Sequence, residues 1–283
     1  MNSNKLNNII KKKSKGNNNL AHHLHQMFFF EHVLMRLEKS IYRDNIILKG
    51  GVLLSSIIGE NLRTTKDIDA TLKSLPLNMD TIKNIFEEIF DLNIDDNVNF
   101  EIVSIKDIRL EDQYGGYRLN ILSKLDNNKT YITIELTTGD EITPREMKYS
   151  YNCIFEDKKI PIMAYTIETV LAEKFQTIIS RGILNTRLKD FYDMYVLMNL
   201  KSSDIDNKIS VSAIANTFKK RETLLDINEF NIIIDDLEND RNIKRQWLEY
   251  QAKNSYAKDI NYEDTINSIK ILIELLEKEL TVV

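Results

Sequence analysis

Asn45-Ile46-Ile47-Leu48-Lys49-Gly50-Gly51, then the apolar run Val52 to Ile58, then Arg63-Thr64-Thr65-Lys66-Asp67-Ile68-Asp69, is the stretch that decides how this chain folds. Asn45 to Leu48 is a short apolar run and reads as a strand. The two glycines let the backbone turn sharply and approach a ligand closely. Val52 to Ile58 begins a helix, whose unpaired N–H groups and positive dipole end favour phosphate. Asp67 to Leu72 reads as a second strand. Alternation along it puts Asp67 and Asp69 on one face and sends Ile68 into the core. Two carboxylates side by side repel each other and call for a cation, for which magnesium suits oxygen ligands and substrate phosphates.

Either motif by itself is weak, since Gly-Gly and Asp-x-Asp are common in turns. In the order strand, Gly-Gly, helix, Asp-x-Asp strand, the segment resembles the signature of the DNA polymerase β-like nucleotidyltransferases. Transfer of a nucleotidyl group needs an attacking oxygen in line with a pyrophosphate leaving group, with metals offsetting charge on both. Two metals about 4 Å apart usually need a third carboxylate. Tyr131-Ile132-Thr133-Ile134-Glu135-Leu136 offers one. Its alternation buries Ile132, Ile134 and Leu136 and leaves Glu135 on the polar side, either beside the Asp pair or facing solvent on an edge strand.

Composition sets the outer limits. The 283 residues, 42% hydrophobic and 29% charged, are those of an ordinary globular chain of one large or two small domains. No apolar run approaches the roughly 18 residues of a membrane span, and the start lacks a signal-peptide pattern. The lone Cys153 excludes an internal disulfide and reads as a packing residue. A cytoplasmic protein with no membrane partner is expected. Net charge is −5 and the pI near 5.6, so the molecule as a whole does not advertise nucleic-acid binding.

The first 20 residues carry Lys5, Lys11, Lys12, Lys13 and Lys15, no acid and many Asn, and read as a disordered basic tail. His22, His23, His25 and His32 fall within a helical stripe of Leu20, Leu24, Met27, Phe30, Leu34, Leu37 and Ile41, so they belong to an amphipathic helix rather than a metal site. Strand-like runs follow at 45–48, 67–72, 98–105, 117–124 and 131–137, with a helix over 78–91. Thr143-Pro144 breaks this pattern. Beyond Met163 helical periodicity takes over at 166–180, 186–199, 211–219, 228–253 and 262–280, the last with a core stripe of Ile266, Ile269, Leu272, Leu276 and Leu280. The simplest architecture is α+β: a catalytic domain over 21–145 with a mixed sheet, then a mainly helical domain over 146–283 that completes the nucleotide site.

The helical half holds a second polar constellation. Lys174 is flanked by Leu171, Phe175 and Ile178, which shelters its ammonium, and Arg181, Arg187 and Lys189 add positive charge suited to a triphosphate. Lys189 and Asp193 stand four apart, a spacing that a surface salt bridge also explains.

At these residues the chain resembles the AbiEii/AbiGii nucleotidyltransferase toxins of type IV toxin–antitoxin and phage abortive-infection pairs. The resemblance spans roughly residues 28 to 283. It rests on Leu48 to Gly51, Arg63 to Asp69, Tyr114 to Arg118, Ile134 to Asp140 with Ile142 to Glu146, Ala164-Tyr165 with Leu171 to Lys174, and Ser180 to Gly182 through Asn185 to Asp193. The resemblance implies a magnesium-dependent enzyme, using two ions, that takes a nucleoside triphosphate and transfers nucleotides to the tRNA acceptor end. It also implies a separately encoded AbiEi-like antitoxin. By position, Asp67, Asp69 and Glu135 would hold metal, and Gly50 and Gly51 phosphate. Lys174 would contact the nucleotide, and Asp190 would be a further essential acid or a substrate-positioning residue. Lys49, Arg63, Arg181, Arg187 and Lys189 complete the expected nucleotide contacts. Glu135 departs from the family pattern, which carries Asp there, and reaches one methylene further. Two alternatives stand beside this reading: transfer to a small-molecule or protein hydroxyl, and a nucleotide-binding regulator without transfer.

Overall fold

The computed structural model describes residues 1–59, 63–108 and 115–281. The chain forms two compact units, one of Met1–Glu60, Thr64–Asp140 and Glu146–Tyr165, the other of Asn61–Arg63, Glu141–Arg145 and Thr166–Val283.

The first unit is built on one seven-stranded mixed sheet. Its elements in chain order are α1 (Ser3–Ser14), α2 (Asn18–Lys39), β1 (Ile46–Lys49), α3 (Gly50–Ile58), β2 (Ile68–Leu72), α4 (Met79–Phe90), β3 (Val98–Ile108), β4 (Gly116–Leu125), β5 (Asn128–Thr137), β6 (Met147–Asn152) and β7 (Lys159–Ala164). The strand order is β3-β4-β5-β2-β1-β7-β6. β2 lies antiparallel to β1 and parallel to β5, which brings the glycine turn and the Asp67-Ile68-Asp69 segment together at the middle of the sheet. Phe28, Phe29 and Phe30 of α2 are all fully buried, the mark of a helix enclosed on every side. Ile82, Ile85, Phe86 and Ile89 form the buried stripe of α4, whose Asn78 cap accepts from the Thr81 N–H.

Three features of this unit differ from the sequence expectation. Residues 3–14 are a helix rather than a disordered tail: Asn2 caps it at Lys5 N–H, and Leu6 and Ile10, one turn apart, are buried. Ile41 does not extend the α2 stripe, because the helix ends at Ser40 and Ile41 is 81% exposed. The sheet also runs on past Thr143-Pro144 into β6 and β7, so residues 146–165 belong with the sheet. Pro161 hides β7 in the sequence, yet β7 meets β1 only at Leu48 and Ala164, so the missing N–H breaks no ladder there.

The second unit is helical: α5 (Ile167–Arg181), α6 (Leu188–Leu200), α7 (Asn207–Lys220), α8 (Ile227–Asn239), α9 (Arg241–Lys253) and α10 (Tyr262–Thr281). The rings of Phe175, Phe218 and Phe230 meet at 5.3 to 5.6 Å in its core. The α10 stripe of Ile266, Ile269, Leu272 and Leu276 is fully buried, while Leu280 has no described side chain. The single helix expected over 228–253 is two, because Asp240 adopts an extended conformation and caps α9 at Asn242 and Ile243 N–H. Among the described residues no helix is long and apolar enough to cross a membrane.

Candidate active site

The sheet register builds the site. Lys49 pairs with Asp69 between β1 and β2, Asp69 with Glu135 between β2 and β5, and Glu135 with Arg118 between β5 and β4. Paired residues on neighbouring strands present side chains to the same face. Asp67, Asp69 and Glu135 thus offer ligand atoms that all lie within 4.8 Å of one another. Three half-buried carboxylates that close make an all-oxygen donor set suited to a hard divalent cation. The Thr65 hydroxyl steadies Asp67 at 3.2 Å, and the Gly51 N–H donates to Asp69 Oδ2 at 3.1 Å.

The glycine turn and the carboxylates are therefore one packed unit. Gly50 has φ +59°, and a Cβ added there would lie 2.6 Å from Asp69 Cγ. Glycine is required twice over, by the left-handed backbone and by the close approach of the carboxylate.

Arg118 stands beside the third carboxylate. Its Nε and Nη2 donate to Glu135 Oε1 at 2.8 and 2.6 Å, and its side chain is 47% exposed. Sequence reasoning assigned it no role, since only the register of two strands separated by a turn places it there. Asp140 was likewise unassigned. It accepts from Lys49 Nζ at 2.5 Å and from the Thr137 hydroxyl at 2.6 Å. Burial works against its charge, but the Lys49 ammonium and the Thr137 and Thr71 hydroxyls outweigh that and hold its carboxyl well below the usual range. Lys49, expected among the nucleotide contacts, is buried with its ammonium on Asp140 and 5.4 Å from the Tyr165 ring.

The helical unit has its own charge cluster. Lys174 Nζ lies 2.8 Å from Asp190 Oδ1 and 2.7 Å from Asp193 Oδ2. Arg63 Nε and Nη2 donate to the two oxygens of Asp193 at 2.7 and 3.1 Å. Expected at a triphosphate, the Arg63 guanidinium is thus buried in a bidentate ion pair. Asp193 is fully buried, so the surface bridge to Lys189 that its spacing suggests does not describe it. Its burial alone would raise its pKa; Arg63 and Lys174 reverse this and hold the carboxyl far below the ordinary range. Lys174 is raised in turn, Asp190 and Asp193 together outweighing its desolvation. Arg187 is largely exposed, its Nε 3.2 Å from Asp190 Oδ2 without hydrogen-bond geometry. Arg181 is exposed at the end of α5 and Lys189 half-buried in the first turn of α6. Tyr114, in one of the blocks of the resemblance, lies outside the described residues.

The sequence matches the family model "Nucleotidyl transferase AbiEii toxin, Type IV TA system" over residues 32–267. No curated protein sequence matches it. Two solved structures share the fold. One is the crystal structure of a candidate nucleotidyltransferase from H. pylori, at TM-score 0.52 and 13% identity, covering 92% of this chain and 96% of that one. The other is JHP933 from Helicobacter pylori, at TM-score 0.52 and 12% identity, covering 92% and 93%.

Proposed function

Since this chain belongs to the AbiEii nucleotidyltransferase toxin family of type IV toxin–antitoxin systems, we propose that it is a magnesium-dependent enzyme that transfers a nucleotide from a nucleoside triphosphate to the tRNA acceptor end and so blocks translation. The observation that carries this reading is the gathering of Asp67, Asp69 and Glu135 within 4.8 Å, locked to the Gly50-Gly51 turn through Asp69.

In this reading Asp67, Asp69 and Glu135 hold the ions. Bound magnesium would offset negative charge on the attacking and departing oxygens. The start of α3 directs backbone N–H groups and the positive dipole end toward the triphosphate. Thr65 and Gly51 keep the two aspartates aimed at one point, which sustains the in-line geometry. Lys49 acts through Asp140, fixing the strand end from which the glycine turn departs. Lys174 and Asp190 are essential residues of the helical unit, and a separately encoded antitoxin is the regulatory partner.

The test is incubation of the purified chain with each of four α-labelled nucleoside triphosphates, magnesium and a mixed cellular RNA pool. Label on tRNA is expected. It should fall at least a hundredfold for Asp67→Ala and Asp69→Ala, since the several kcal/mol of transition-state charge stabilisation are lost at about 1.4 kcal/mol per decade, and sharply for Lys174→Ala. Label found only on protein or a small molecule would overturn the acceptor assignment. The absence of any transfer would overturn the reading as a whole.

A further inference from the structure

The row of register partners that holds the carboxylates does not end at Arg118. Arg118 pairs in turn with Lys106 on β3, so Lys49, Asp69, Glu135, Arg118 and Lys106 cross five adjacent strands in one line. The glycine turn adjoins one end and Arg118 and Lys106 occupy the other, on the opposite side of the carboxylates from the expected triphosphate. Beyond them, the face of β3, β4 and β5 that carries Glu135 exposes Lys106, Arg118, Lys129 and Tyr131 among the described residues. Leu119, Ile121, Ile132 and Ile134 fill the opposite, buried face. Tyr131, two alternations along β5 from Glu135 and about 13 Å away at 3.3 Å per residue, is 64% exposed. Among the described residues no aromatic ring stacks on it.

The charge of this face is opposite to that of the molecule. Lys106, Arg118, Lys124 and Lys129 lie on it, and among the described residues its one acid apart from Glu135 is Glu101, which is paired to Lys124 at 2.8 Å. Asn120 ties β4 to β3 through Ser104 at 2.9 Å and meets Thr133 of β5, so the polar centre of the face is braced across strands. The guanidinium of Arg118 uses two donor nitrogens on a single oxygen of Glu135, and among the described residues Nη1 has no hydrogen-bond partner, leaving it able to meet another anion.

We propose that this face is the acceptor platform: a single-stranded polynucleotide end lies along it, Arg118 holding the phosphate beside the reacting hydroxyl and Tyr131 stacking a base farther from the carboxylates. An exposed aromatic among cations is the arrangement that binds single strands without demanding sequence, because every base offers a ring face. The inference rests on the nucleotidyltransferase reading and specifies which surface receives the acceptor.

The test uses the full chain and two readouts. Anisotropy of a labelled single-stranded RNA oligonucleotide reads acceptor affinity without chemistry, and titration with a fluorescent nucleoside triphosphate plus magnesium reads the nucleotide site. Tyr131→Ala, and separately Lys106→Glu with Lys129→Glu, should each weaken the oligonucleotide at least about fivefold, the low end of the stacking range, with triphosphate affinity unchanged. Tyr131→Phe should retain binding, which separates stacking from a folding defect. Unchanged oligonucleotide affinity in both variants overturns the platform even where the wild type transfers nucleotide, including the case in which the acceptor is a protein. Weakened oligonucleotide binding in a protein that transfers nothing supports the platform while the catalytic reading fails.

Discussion

Gly50 shows how a single missing carbon fixes the site. Its φ of +59° places it in the left-handed region, and the Asp69 carboxylate occupies the space a Cβ would take. In Gly50→Ala either the turn opens or Asp69 leaves the carboxylate cluster. The left-handed conformation costs Ala roughly 1–2 kcal/mol, on the order of a few degrees in melting temperature for a chain of this size. If Asp69 holds metal as proposed, displacing its carboxylate costs far more in rate. The expected outcome is a fall in kcat of about a hundredfold or more beside a modest thermal shift. A variant with wild-type kcat would show that the contact does not matter. The glycine, the Asp-x-Asp alternation and the inward Ile132, Ile134 and Leu136 were legible because each follows from a local period of two or a backbone need. Arg118 against Glu135 and Lys49 against Asp140 were not, because the partners lie 17 and 91 residues apart and only sheet register joins them.

At the scale of elements, helix α6 presents the sharpest case. It brings Asp190 and Asp193 to Lys174 of α5, and Asp193 also receives Arg63, all four side chains being nearly enclosed. Removing one partner of a buried ion pair leaves charge uncompensated and typically costs about 3–5 kcal/mol. Asp193→Asn should therefore destabilise the helical unit by about that amount in chemical denaturation. A loss below about 1 kcal/mol would be inconsistent with this account. The pH dependence follows from the signs. The lowered Asp193 carboxyl contributes stability that is present above about pH 4, the ordinary carboxylate range, and is lost as pH falls toward its folded value. The raised Lys174 ammonium contributes stability present below about pH 10 that is lost as pH rises through its folded value. The wild-type plateau should span these limits, and Asp193→Asn should flatten the acid limb. Sequence periodicity located the helices of this unit, yet read α8 and α9 as one, since the apolar spacing continues through a cap that only the extended backbone at Asp240 defines. Strands β6 and β7 went unread for a different reason. Met147, Tyr149 and Tyr151 do alternate with Lys148, Ser150 and Asn152, but the segment is mostly exposed at the sheet edge and follows Thr143-Pro144, which reads as the end of the strand pattern.

For the whole molecule, the sum of charges misleads about the parts. A net charge of −5 argues against a polyanionic partner, but it averages an acidic chain over a face on which, among the described residues, Lys106, Arg118, Lys124 and Lys129 meet two acids, Glu101 and Glu135, each paired to one of these cations. Composition could not reveal that face, because its cations come from two strands and an edge and are interleaved in sequence with buried residues. A local field of this kind has a signature that total charge does not: binding a single strand releases counterions in proportion to the phosphates neutralised, with a slope of log K against log salt of about −0.7 per phosphate. If Lys106, Arg118 and Lys129 each meet a phosphate, while Lys124 stays with Glu101, the oligonucleotide affinity of the wild type should fall with a slope near −2. Replacing Lys106 and Lys129 together by Glu should reduce the magnitude of that slope by about 1.4, and Tyr131→Ala should lower affinity at every salt concentration with the slope unchanged. Anisotropy titrations between about 50 and 200 mM salt, the range over which such contacts separate, measure both quantities. Identical slopes for wild type and the double lysine variant would mean that these cations do not touch the strand.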